Sequence, residues 1–202
     1  MKSTGPQRES TRRAILGALA EVIVESGTNG FSVQDVADRA GVTHRTVYNH
    51  YPTREALNDA LAVYVEEQMA AGASVPPEIG LPLREVASVI PESFRIFAAH
   101  ESLTRAYVML MVAARGPGAP TKARTKRFSQ LVGRELGPLP RHVSREIAAT
   151  VRMFLSTTGW HLLTEHYGLT HAQAAAAASW AIRVLTNAAA DGDLPDQESN
   201  DA

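Results

Sequence analysis

The chain has 202 residues, 45% apolar and 20% charged, enough for one large or two small domains whose core needs no metal or disulfide staple. Cysteine is absent, which excludes disulfide scaffolds, Cys-ligated zinc and thiol catalysis and fits a reducing, cytoplasmic setting. Twenty basic residues against twenty-one acidic ones, a formal charge of −1, exclude a wholesale polyanion coat but leave room for a local nucleic-acid site.

No membrane segment is expected. The apolar run from Val108 to Ala114 is bounded by Arg105 and Arg115, far short of the ~20 residues that span a bilayer. Arg12-Arg13 precedes an apolar stretch, but Glu21 and Glu25 interrupt it, so it does not read as an export signal.

In chain order, residues 1–7 read as a flexible arm. Residues 8–26 have helical periodicity, with Ile15, Leu19, Val22 and Ile23 on one face, and Gly27 and Gly30 turn the chain. Ser32, with Asp35 three residues on, starts a short helix that ends at Ala40-Gly41. Thr43 caps a second short helix to His50 or Tyr51. Pro52-Thr53 opens a longer helix carrying Leu57, Leu61, Tyr64 and Val65. Residues 72–82 form a loop, residues 83–100 a helix, and residues 101–114 a strongly apolar helix. Residues 116–120 form another loop. A basic amphipathic helix covers 123–136. A long helix runs from Pro140 to about Tyr167, Gly168 stops it, and Thr170 caps a last helix to Ala190. Residues 191–202, with five acidic side chains and no basic one, form an acidic tail expected to be disordered. No strand alternation occurs. The fold class is therefore all-α, with about nine helices: three in an N-terminal helix-turn-helix unit over 8–55, the rest in a helical bundle over 56–190.

The informative stretch is residues 31–57. Two short helices crossing steeply need a tight turn, and Gly41 supplies the permissive backbone. Val36, Ala37, Val47 and Tyr51 close against Ile15 and Val22. The second helix then points Thr43, His44, Arg45, Thr46, Tyr48, Asn49 and His50 largely outward. So many hydrogen-bonding groups on one short helix fit a major-groove reader.

From Ile15 to Leu57 the sequence resembles the TetR family of one-component transcriptional regulators. The resemblance rests on Ile15-Leu16-x-Ala18, Glu25-x-Gly27, Val36-Ala37-x-x-Ala40-Gly41-Val42-Thr43 and, above all, Thr46-Val47-Tyr48-x-His50-Tyr51-Pro52-Thr53-Arg54-Glu55-Ala56-Leu57. Val47, Tyr51 and Arg54 stand where Leu, Phe and Lys are usual. The resemblance implies a DNA-binding regulator, repressor by family default, released from a palindromic operator by a small molecule. Local chemistry sorts the implied roles. Ser32 and Thr43 sit at helix starts, as plain N-caps or as phosphate holders. Gln34, His44, Arg45 and Thr46 are candidate base readers, Arg45 for guanine and Gln34 for adenine. Tyr48, His50 and Arg54 are candidate phosphate contacts, and Asn49 completes the DNA-facing set. Tyr48 as core, or His50 packed at the helix end, are the alternatives. Arg8, Arg12 and Arg13 cluster at the first helix start and add phosphate attraction.

The bundle is implied to bind ligand and to dimerise. Phe94, Phe97, Tyr107, Met111, Phe128, Phe154 and Trp160 are candidate lining residues, although such groups at helical spacing also fill ordinary cores. The last two helices carry apolar stripes, Ile147, Val151, Phe154, Leu155 and Leu162 on one and Ala174, Ala178, Ala181 and Leu185 beside Trp180 and Val184 on the other. A homodimer through these two helices is expected.

An enzyme is not expected. His161-x-x-x-Glu165-His166 is a near miss to a zinc-protease pattern, but its two histidines lie about 140° apart around a helix, and no metal or cofactor is called for. There is no Gly-x-Ser-x-Gly elbow and no phosphate-binding glycine loop. A small-molecule-binding enzyme, or an interaction bundle on the same scaffold, is the alternative reading.

Overall fold

The computed structural model describes residues 5–72, 81–113 and 119–195. Among them are ten α-helices: α1 Gly5–Ser26, α2 Val33–Ala40, α3 His44–His50, α4 Arg54–Gly72, α5 Ile90–Ala99, α6 Glu101–Ala113, α7 Ala119–Glu135, α8 Arg141–Leu155, α9 Thr157–His161 and α10 His171–Ala190. A 3-10 segment, Leu83–Val89, precedes α5, and a π-helical turn, Leu162–His166, follows α9. No described residue is in a strand, and the chain is all-α. It folds as two compact units, one holding α1–α4 and α6, the other α5 and α7–α10.

In the first unit α1 packs against α2 and α6. Ile15, Leu16, Leu19 and Ile23 of α1 are buried with Val36, Ala37, Val47, Leu57, Leu61, Ala106 and Tyr107. The short helices have defined ends. The Ser32 hydroxyl accepts from the Asp35 N–H at 3.2 Å and the Ser32 N–H donates to the Asp35 carboxylate at 2.7 Å, the expected capping box. Gly41 closes α2 at φ 65°, a left-handed conformation that costs glycine nothing sterically. Thr43 accepts from the Thr46 N–H at 3.1 Å and starts α3. Arg39 ties α2 to α1, Nη1 3.0 Å from Glu21 and Nη2 2.6 Å from Glu25.

In the second unit Trp160, Phe94 and Phe128 are fully buried. The inner face of α10 is mostly small, with Ala174, Ala175, Ala178 and Ser179, so α5 and α8 pack closely on it. Arg152 Nη1 donates to the Thr125 hydroxyl and joins α8 to α7.

Four elements differ from the sequence expectation. The helix expected over 83–100 is 3-10 in its first half. Pro91 explains this: it lacks the N–H that a continuous α-helix would send back to the Ala87 carbonyl. The helix expected from Pro140 to Tyr167 stops at Leu155. Ser156 is extended (φ −94°, ψ 162°) and caps α9 through its hydroxyl, 3.0 Å from the Gly159 nitrogen. A Cβ on Gly159 would lie 2.2 Å from the Met153 carbonyl oxygen, so the turn accepts only glycine there. Residues 5–7, expected in the arm, begin α1, and α7 starts at Ala119 rather than Ala123. Residues 73–80 of the first expected loop, 116–118 of the second and 196–202 of the tail lie outside the described residues, as do residues 1–4 of the arm.

Candidate nucleic-acid interface

Only one residue of α3, Val47, is buried. A seven-residue helix anchored by one side chain turns nearly all its chemistry outward. His44, Arg45, Tyr48 and Asn49 are exposed, and Thr46 and His50 are half-buried. Tyr48 is 43% exposed and its ring meets His44 edge-on at 4.7 Å, so it is not a core residue. Among the described residues nothing pairs with the Arg45 guanidinium, which keeps its full set of donors.

The hydroxyls of Ser32 and Thr43 are used as N-caps, and the Thr43 and Thr46 oxygens are 2.8 Å apart. The Ser32 hydroxyl accepts in its cap and stands beside the Asp35 carboxylate. Gln34 is exposed, but its Nε2 donates to the Asp38 carboxylate at 2.6 Å, a bond it must exchange to reach a base.

Arg54 is anchored to the fold by part of its guanidinium. Its Nη2 donates to the Thr28 carbonyl at 2.7 Å and its Cζ stands 4.0 Å from the centroid of the buried Phe31 ring. The guanidinium fastens the start of α4 to the turn between α1 and α2. The motif marks a cation after Pro52-Thr53, but a contact with a carbonyl twenty-six residues earlier has no signature in sequence.

A cleft of about 240 Å³ lies between the start of α1 and the end of α3, lined by Gly5, Arg8, Glu9, Arg12, His50 and Tyr51. Burial, and then the charge of Arg8, push the His50 imidazole below its ordinary range. Burial raises the Tyr51 phenol, opposed by Arg12. Tyr51 was expected only to pack, and its place beside Arg12 depends on tertiary contacts.

The candidate ligand residues divide between the units. Phe94, Phe97 and Trp160 meet in the second, with ring centroids 5.9 and 6.3 Å apart. Phe128 is buried in that unit and Phe154 is half-buried there. Tyr107 belongs to the core of the first unit, and Met111 packs against it. The sequence reading did not single out His171, which stacks on Trp160 at 5.6 Å and 10°. Its position just after the Thr170 cap was the available signal. The Trp160 Nε1 is buried and has no hydrogen-bond partner. No group of three potential metal ligands occurs among the described residues.

An exposed, lightly anchored second helix after a glycine turn, set on a three-helix core, defines a helix-turn-helix DNA-binding regulator. Residues 15–61 match the family model "Bacterial regulatory proteins, tetR family". Over 147 residues the chain is 26% identical to the HTH-type transcriptional activator FasR of Mycolicibacterium smegmatis, covering 70% of this chain and 67% of that one. A solved structure of a candidate TetR-family regulator from Syntrophomonas wolfei superposes with a TM-score of 0.65 at 17% identity, over 90% of this chain and 97% of that one. FadR of Bacillus subtilis, solved with stearoyl-CoA, superposes with a TM-score of 0.61 at 15% identity, over 86% and 97%. Residues 15–61 thus carry the DNA-binding region of the TetR family, and the fold of the chain is that of solved TetR-family regulators.

Proposed function

We propose that the protein binds a palindromic operator as a two-fold dimer, represses transcription there, and is released by a small molecule held in the second unit. The observation that carries the DNA reading is the outward face of α3, with Arg45 unpaired among the described residues and His44, Tyr48 and Asn49 exposed beside it. Arg45, His44, Thr46 and Gln34 read base edges, and Ser32, Thr43, Tyr48, Asn49 and His50 hold the phosphates on either side. Arg54 orients this set from behind, through Thr28 and Phe31.

The dimer reading is supported by apolar side chains of α10 that stay exposed among the described residues. Trp180 is 63% exposed and Val184 48%, on a helix whose opposite side is already buried. Ile147, Val151 and Leu155 lie in the chain's own core, so the interface falls to the outer residues of α10. For the effector, the unpartnered Trp160 Nε1 among Phe97 and His171 suits an apolar compound carrying one hydrogen-bond acceptor. FadR, a neighbour in fold, is solved in complex with stearoyl-CoA, which supports an effector with a long apolar part. Only His100 separates α5 from α6, and α6 packs on α1. A ligand that moves α5 therefore has a covalent route to the DNA-binding core, and it acts through its differential affinity for the two states.

Selection of duplexes from a random pool by the full-length protein tests the DNA reading. Enrichment of a palindrome with half-site centres about one helical turn, ~34–36 Å, apart is expected. A pool that stays random overturns it. The likeness to FasR, an activator, favours activation as the second reading. Transcription in vitro from a promoter carrying the selected site separates the two by its sign.

A further inference from the structure

The cleft between α1 and α3 places two cation-forming side chains together without an anion of their own. Arg8 comes from the first turns of α1 and His50 from the last turn of α3. The remaining charged groups around them are already paired. Glu9 lies 3.4 Å from Arg12 and 3.2 Å from Arg13, and Arg12 reaches Glu67 of α4 at 3.0 Å. Tyr51, the other wall, stays neutral at physiological pH. Among the described residues, nothing pairs with Arg8. A site with one unpaired guanidinium, one imidazole and every neighbouring carboxylate in use lacks a single small anion.

Resting on the DNA-binding reading above, we propose that this cleft seats one backbone phosphate of bound duplex between Arg8 and a protonated His50. DNA binding then takes up a proton at each half of the dimer. In the free protein, burial and Arg8 both disfavour the charged imidazole. A phosphate reverses the second effect, because it attracts both cations and separates their charges. The imidazole pKa therefore rises on binding, and affinity grows as pH falls through the interval between the free and bound values. Each proton taken up contributes up to about tenfold per pH unit. The phosphate carries no base identity, so the effect adds affinity without altering sequence preference.

The test uses the full-length protein and the duplex selected from the random pool. Affinity is measured from pH 8 to pH 6 at fixed salt, with calorimetry at pH 7 in two buffers of different ionisation enthalpy. The wild type is expected to tighten as pH falls and to take up between one and two protons per dimer. His50→Gln is expected to bind more weakly and to lose that uptake. Arg8→Gln is expected to bind more weakly with a smaller uptake, because the free imidazole is then no longer repelled. His44→Gln, on the exposed face, loses affinity but keeps the uptake. Wild-type binding without proton uptake, or uptake that survives in His50→Gln, overturns the proposal while leaving the DNA-binding reading intact. Absence of binding at every pH overturns the DNA-binding reading itself.

Discussion

The Arg54 guanidinium shows how a charge that resembles a DNA contact serves the fold. One donor is fixed on the Thr28 carbonyl and one face lies over Phe31. Arg54→Ala removes a charge-assisted hydrogen bond and a partly desolvated cation–π contact, together about 2 kcal/mol. An unfolding free energy lowered by about that amount in urea denaturation is expected, and an unchanged one contradicts the role. Two carboxyls make a different contribution. The Arg39 hydrogen bond lowers Glu25, and the Ser32 backbone N–H, then its hydroxyl, lower Asp35. A carboxyl lowered in the folded state stabilises above its unfolded pKa of about 4 and loses that contribution as pH falls through the folded value. Stability should therefore decline below about pH 4, and Arg39→Gln should flatten part of that decline. Chemical denaturation at pH 6 and pH 3.5 compares the two proteins.

At the scale of elements, the breaks decide what was legible. The capping residues Ser32, Thr43 and Thr170 sit at their helix starts as read, because a hydroxyl two or three residues from an N–H is a local event. The helix-turn-helix was legible for the same reason: its spacing, its glycine and its one buried anchor, Val47, all fall within thirty residues. The break at Ser156 was not. Ser156-Thr157-Thr158 is compatible with a helix, and only the approach of Gly159 to the Met153 carbonyl shows the chain turning. Pro91 was a legible breaker that the apolar run around it obscured. Among ligand candidates, aromatic spacing brought Phe94, Phe97 and Trp160 together but could not place Tyr107 and Met111, which pack on α1's core, or foresee the stack on His171. Gly159→Ala should destabilise the second unit by about 1–3 kcal/mol, the usual range for forced overpacking. Thermal unfolding that matches wild type would show that the turn relaxes without cost.

At the scale of the whole molecule, the palindrome proposed above requires a paired chain. Trp180 offers the largest exposed apolar surface on α10. Trp180→Glu puts an unpaired carboxylate into any two-fold contact there, and buried charge without a partner costs several kcal/mol. Sedimentation at micromolar concentration should show a dimer for wild type and a monomer for Trp180→Glu, with helix content unchanged. A monomeric wild type removes the dimer from the account. Of the two apolar stripes proposed for the contact, Ile147, Val151, Leu155, Ala174 and Ala178 are buried, while Leu162, Trp180 and Val184 stay exposed.

In the function proposed above, α3 reads sequence through Arg45. The direct measurement is the affinity of wild type and Arg45→Ala for the selected duplex and for a scrambled duplex of equal length at one salt concentration. A bidentate contact to a base edge is worth about 1–3 kcal/mol of discrimination, so the variant should lose roughly 5- to 150-fold on the selected duplex and far less on the scrambled one. An equal loss on both duplexes would make Arg45 a phosphate contact and contradict the account of how this helix chooses its site.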